Sequence, residues 1–264
     1  MRAWGLRSLG NLVFVNGDAR RSIALYEEAL AIFRAEGDDE GVNIALSSLA
    51  IGRTTLGELT AARAAAEEGL AVSRRIGNER GEAYALRGIG FAASVAGDLP
   101  AAVAAYEAAL VIFRRLGEHW AGLNTLTELG WVALQQGSLQ RARELGEEAK
   151  DRARAEGDRP LELNADALLG RIALEQGDLD AAGRLLAGAA DEFATLGEDL
   201  LAAAAALTLS AVAARRGDAA GRGSWLGRPC RSSARSTRRS CWHLRWWKPP
   251  ACRLTWVTPR LRPA

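Results

Sequence analysis

Lysine is almost missing from this chain: Lys150 and Lys248 are the only two in 264 residues, and neither follows a glycine. That excludes a Gly-Lys-Ser/Thr loop of the kind that cradles phosphates. Residues 1–218 contain no cysteine, so they carry no disulfide framework and no thiol chemistry. Their only histidine, His119, stands beside Glu118 at a helix start, and a lone histidine without cysteines or a carboxylate cluster makes no metal site. No Gly-x-Ser-x-Gly elbow and no dinucleotide fingerprint at a strand–helix turn is present. The apolar run Leu12 to Val15 is too short for a signal-peptide core. No stretch approaches the roughly 20 apolar residues that span a bilayer. These absences point to a cytoplasmic protein without catalytic residues, cofactor, metal or membrane partner.

Acid is missing from one end. Residues 219–264 hold eleven of the 34 basic residues, all three cysteines, five of the eight tryptophans and five of the seven prolines, but no Asp or Glu. The remaining 23 basic residues face 32 acidic ones, so residues 1–218 carry about −9. The formal +2 of the whole chain averages two unlike pieces, and it says nothing about an acidic partner.

What is abundant is glycine on a clock. It falls at 17, 57, 97, 137, 177 and 217, and midway at 37, 77, 117, 157 and 197. The residue after each is usually Asp, Glu, Asn or Ser, as in Asp18, Glu58, Asp98 and Ser138. Glycine beyond one helix and an acceptor side chain at the start of the next is how helices stop and restart. Each 20-residue half-repeat therefore predicts one helix of about 16–18 residues, on the order of 25 Å long. The first helix of each pair carries a large residue beside a tiny one: Leu9-Gly10, Leu49-Ala50, Ile89-Gly90, Leu129-Gly130, Leu169-Gly170, Leu209-Ser210. The second carries Ser22, Ala62, Ala102, Ala142 and Ala182, then Tyr26 and Tyr106, then Ala29, Gly69, Ala109, Ala149 and Ala189. These are the i, i+4, i+7 positions of a buried stripe.

Ile89-Gly90, Gly97-Asp98, Ala102, Tyr106 and Ala109-Leu110 together resemble the tetratricopeptide repeat (TPR), in a variant with 40 rather than 34 residues. HEAT-like helix pairs are the alternative. The resemblance implies an all-α superhelix, a solenoid of about five and a half helical hairpins over residues 1–218. Repeats 1 and 3 are nearest to each other, Tyr26 to Arg34 against Tyr106 to Arg114, which suggests duplication of an 80-residue unit. Ala-rich arrays of this type are similar to the C-terminal parts of bacterial LuxR-type or ATPase-containing transcriptional regulators. That implies a signal-sensing role in a fragment whose ATPase and DNA-binding modules are encoded in cis upstream. A free-standing scaffold or peptide-binding adaptor is the alternative.

In such a stack the first helices line the inner surface. The family register then puts Trp4, Arg7, Asn11 and Phe14 in the groove, with Ile44, Ser47, Ile51 and Thr54 after them. Tyr84, Arg87, Phe91 and Ser94 follow, then Asn124, Thr127, Trp131 and Leu134, and last Asn164, Ala167, Arg171 and Leu174. Rings offer apolar anchors, while amides and guanidinium suit a peptide backbone or carboxylate. Arg7, Asn11, Tyr84, Arg87, Phe91, Asn124, Trp131, Asn164 and Arg171 are the candidate groove residues for a protein or peptide ligand. The paired acids Glu27-Glu28, Glu67-Glu68 and Glu147-Glu148 belong to second helices and read as a solvated face.

Past Gly217-Asp218 the clock stops. One reading of 219–264 is a basic tail in which cations neutralise phosphates and tryptophans stack on bases. The other, which we favour, is a slipped reading frame. Tryptophan has a single codon, so moving back one base forces Cys241-Trp242-His243 to become Leu-Ala and Trp246-Trp247-Lys248 to yield Val-Glu. Such a segment has too few aliphatic residues to fold.

Overall fold

The computed structural model describes residues 1–218. The segment 219–264, expected to be an unstructured tail, lies outside the described residues. Eleven helices make up the described part: α1 (Arg2–Val15), α2 (Ala19–Glu36), α3 (Asp39–Leu56), α4 (Leu59–Arg75), α5 (Glu79–Ala96), α6 (Leu99–Leu116), α7 (His119–Gln135), α8 (Leu139–Glu156), α9 (Arg159–Gln176), α10 (Leu179–Leu196) and α11 (Asp199–Arg215). The glycine clock sets these boundaries. Every glycine of both series has a positive φ, between 67° and 85°. That left-handed turn costs a residue with a Cβ about 1 kcal/mol. At the end of α5 the Gly97 N–H reaches Ser94 O at 3.2 Å and the Asp98 N–H reaches back to Ala93 O at 3.0 Å. The last carbonyls of the helix are thereby satisfied.

Asp98 then opens α6 by accepting from the Ala101 N–H, and Asp18, Asp38, Asn78, Asp158 and Asp178 do the same for their helices. Four of the acceptor residues that follow a clock glycine do not cap the next helix. Glu58, Glu118, Ser138 and Glu198 make no side-chain capping bond. A glutamate carboxylate sits one methylene too far from its backbone to close the short ring that aspartate closes.

Helices adjacent in sequence pack on each other all along the chain, and each odd helix also packs on the next odd helix: α1 on α3, α3 on α5, α5 on α7, α7 on α9, α9 on α11. The even helices rest chiefly on their sequence neighbours. Odd helices therefore form the tighter inner layer of a curved stack and even helices the splayed outer one. Ser22, Ala62, Ala102, Ala142 and Ala182 have no exposed surface, which lets the two layers approach closely. Above them the pairing is by size. Tyr26 fills the space beside Gly10, and Tyr106 that beside Gly90. Where the second helix offers Gly146 opposite Gly130, Leu168 and Leu169 lean in from α9. Leu49, Leu129 and Leu209 are buried as expected, whereas Ile89 and Leu169 are only partly buried and Leu9 is 45% exposed, so the column alternates with an 80-residue period.

A slower beat of 80 residues runs over the 40-residue clock. Phe33, Phe113 and Phe193 are all fully buried. Trp4 stands edge-on to Phe33 at 5.1 Å between ring centroids, and Tyr84 stands edge-on to Phe113 at 5.1 Å. Arg34 pairs with Glu68 and Arg114 with Glu148 across neighbouring outer helices. Between them Arg74 meets no acid at position 108, where Ala108 stands, and turns to Glu82 instead.

Candidate functional site: the face of the odd helices

The candidate groove residues fall on the inner layer, on α1, α5, α7 and α9. Arg7, Asn11, Tyr84, Arg87, Phe91, Asn124, Trp131, Asn164 and Arg171 are each partly exposed, so none is lost to the core. Of the wider register, Thr54, Thr127 and Leu174 are buried and leave the face. Both threonines turn their hydroxyls inward, onto Ala50 O at 2.7 Å and Leu123 O at 3.1 Å.

The arginines differ in what holds them. Arg87 donates from Nε and Nη2 to the two carboxylate oxygens of Glu128 on α7, at 2.9 and 2.6 Å. Its guanidinium also lies 6.0 Å from the ring centre of Trp120, a side chain at the start of α7 that is 54% exposed. Burial opposes the charge on Arg87, but the Glu128 carboxylate and its hydrogen bonds outweigh it and hold the guanidinium above its usual range. Tyr106, packed beneath, is pushed well above the ordinary phenol range, first by burial and then by Glu128. Arg171 is folded down onto Glu175 of its own helix, at 2.7 Å. Neither is a loose cation waiting for a ligand.

Arg7 is held by no carboxylate among the described residues. Its guanidinium sits 6.0 Å from the centre of the Trp4 ring, and its Nε is buried without a hydrogen-bond partner. One turn on, Asn11 accepts a hydrogen bond from the Tyr26 hydroxyl at 2.8 Å. Asn124 donates to Trp120 O at 2.9 Å. Glu128 and Trp120 are the site residues that the sequence reading missed. Glu128 lies 41 residues after Arg87, one period plus one, so the repeat length itself carried the signal.

The outer face has another character. Glu27, Glu28, Glu67, Glu68, Glu147 and Glu148 all lie on even helices, where arginines pair with Glu27, Glu28, Glu67 and Glu68 at up to 2.7 Å and with Glu148 at 3.0 Å. Glu162 is buried between Arg154 and Arg159, at 2.7 and 2.6 Å. Two clefts of about 310 and 280 Å³ open between α9 and α10 and among α2, α3 and α4, and neither is lined by a groove-register residue. His119 Nδ1 lies 3.1 Å from Glu156, and the described residues contain no cluster of three metal-ligating side chains. No described helix is long and apolar enough to cross a membrane.

A succession of helical hairpins with an inner and an outer layer defines the class: this is a TPR-like α-α superhelix. Residues 81–155 match the tetratricopeptide repeat model. No curated protein matches the chain. Among solved structures, the apo form of RapI superposes with a TM-score of 0.72 over 93% of this chain and 84% of its own, at 17% identity. A Rap protein complexed with competence and sporulation factor gives a TM-score of 0.74 over 85% of this chain and 62% of its own, at 15% identity. A signal transduction ATPase with numerous domains and a tetratricopeptide repeat sensor, from Pyrococcus horikoshii, gives 0.54 at 17% identity. This chain covers 85% of itself but only 41% of that protein. At such identities the likeness is one of fold.

Proposed function

We propose that residues 1–218 are a non-enzymatic recognition scaffold that takes a protein or peptide segment along the odd-helix face. The observation that carries this is the row of partly exposed Tyr84, Phe91, Asn124, Trp131 and Asn164 on three successive inner helices that pack directly on one another. Apolar rings and amides repeating along an open face suit an extended chain better than a small inducer. The Rap protein holding competence and sporulation factor supports the reading, since it is a similar fold with a bound factor.

The finer reading is that this scaffold is the sensor part of a cytoplasmic bacterial transcriptional regulator of LuxR type, with its ATPase and DNA-binding modules supplied in cis. The repeat-sensor ATPase of Pyrococcus horikoshii supports that layout by fold. Nucleic-acid binding through 219–264 is the remoter alternative and predicts steep salt dependence.

The test is selection of peptides on the full chain, followed by Phe91→Ala/Trp131→Ala. Loss of two ring anchors should weaken selected peptides by about tenfold or more, at unchanged helical circular dichroism. Peptides that bind the double variant as well as the parent would refute the odd-helix face as the site.

A further inference from the structure

Lys150 interrupts a column of apolar residues: Leu30, Leu70 and Leu110 precede it at 40-residue steps, and Ala190 follows. Its partner Asp166 interrupts a second column, with Leu46, Leu86 and Leu126 before it and Ala206 after. Leu30 and Leu46 share one buried apolar cluster, and Leu110 and Leu126 share another. Between α8 and α9 an ion pair thus replaces two leucines, with the Lys150 ammonium 2.6 Å from Asp166 Oδ1. Such a pair stabilises a fold no better than the leucines it displaces, so stability does not account for it.

Asp166 is also short of donors. It is 9% exposed, and Lys150 lies out of line for a hydrogen bond, so Oδ1 is buried with no hydrogen-bond partner. An ionised carboxylate offers about four acceptor positions, and a buried one normally fills several of them. The residue lines the cleft of about 310 Å³ between α9 and α10.

That cleft repeats, 120 residues on, the register of the one among α2, α3 and α4, but its polar groups are rearranged. Asp166 stands for Leu46, Arg184 for Ala64 and Gly188 for Glu68. The last exchange removes an acid from the rim and leaves open space, since nothing stands within 4 Å of where a Gly188 Cβ would be. Arg184 is exposed, and no carboxylate among the described residues holds it. Leu163 and Leu185 supply an aliphatic wall to the same cleft. Its volume lies at the lower end of the roughly 300–1,000 Å³ of small-molecule sites, which suits a ligand the size of one residue.

We infer that the α9–α10 cleft binds a free aliphatic α-amino acid, its carboxylate on the Arg184 guanidinium, its ammonium on Asp166 and its side chain against Leu163 and Leu185. The guanidinium fork takes the carboxylate, and the ligand ammonium supplies the donors that Asp166 lacks. The cleft shares no residue with the groove register of the odd helices, so neither reading depends on the other.

The scarcity of lysine supplies the probe. Lys150 and Lys248 are the only two, so the full chain labelled with carbon-13 at lysine Cε gives two signals, and Lys150→Met identifies the one beside Asp166. Three compounds are titrated: L-leucine, 4-methylpentanoate, which is leucine without its ammonium, and 3-methylbutylamine, which is leucine without its carboxylate. The Lys150 signal should move saturably with leucine and need about tenfold more of either half-molecule. In Arg184→Gln the signal should start unchanged and need about tenfold more leucine. A Lys150 signal that leucine does not move overturns the assignment. So does one that a half-molecule moves as readily, or that moves alike in Arg184→Gln. As a second measurement, Lys150→Leu/Asp166→Leu restores the leucine pair of the other junctions and should fold at least as stably as the parent. Leucine should raise the unfolding midpoint of the parent and leave that of the double variant unmoved. An equal rise in both would place leucine elsewhere and overturn the inference, while leaving the scaffold reading intact.

Discussion

Gly90 lies so close to Tyr106 that a Cβ built on it would stand 2.8 Å from the ring Cδ1. Real carbon contacts do not reach that distance, so the inner helix α5 can lie on α6 only because position 90 has no side chain. The ring is fully buried and cannot swing out of the way without opening the layer.

Gly90→Ala should therefore destabilise the protein by about 1–3 kcal/mol despite the better helix propensity of alanine. Adding Tyr106→Ala recreates the Ala50/Ala66 combination of repeat 2. The double variant should lose less than the sum of the singles, read by denaturant unfolding. Additive losses would show that the two positions do not share one space.

Capping separates aspartate from glutamate at equivalent places. Asp98 accepts from the Ala101 N–H at 3.2 Å, whereas Glu58 caps nothing. Asp98→Ala should cost about 1 kcal/mol and Glu58→Ala close to nothing, by the same unfolding measurement.

The pair Arg87–Glu128 joins α5 to α7 with both side chains about a quarter exposed or less, at 21% and 26%. Glu128→Gln should cost about 1–2 kcal/mol, an intermediate value between a surface pair and a fully buried one. A double-mutant cycle with Arg87→Gln measures the coupling, and a value near zero would mean that the pair holds nothing together.

Among the described residues Glu192 and Glu162 are both held below the usual carboxylate range, and Glu162 is the buried one of the two. Burial alone would raise its carboxyl, but the hydrogen bonds from Arg159 and Arg154 and their charges prevail and lower it. A carboxylate depressed in the folded state contributes stability that is fully present above its unfolded value of about 4.3 and is lost as pH falls toward the lower folded value. Glu162→Gln should flatten the fall of stability in that acid window and leave the slope above it unchanged. An unaltered acid limb would place the sensitivity elsewhere.

The sequence determined the helices. Their limits follow from local chemistry, glycine in a left-handed turn and a short acceptor after it, and such signals act within a few residues of where they are written. The buried stripe was equally legible, because a period of 40 repeats the same small residues at the same heights, from Ser22 to Ala182. Tertiary structure alone decided which of the candidate groove residues are engaged. Arg7 and Arg87 share one register along the chain, and only the packing of α7 on α5 gives Arg87 the Glu128 carboxylate. Thr127 shares the register of Arg87 and Leu174 that of Ser94, yet both are buried, because the packing of neighbouring hairpins, rather than the pattern within one, sets how far each position is opened to solvent.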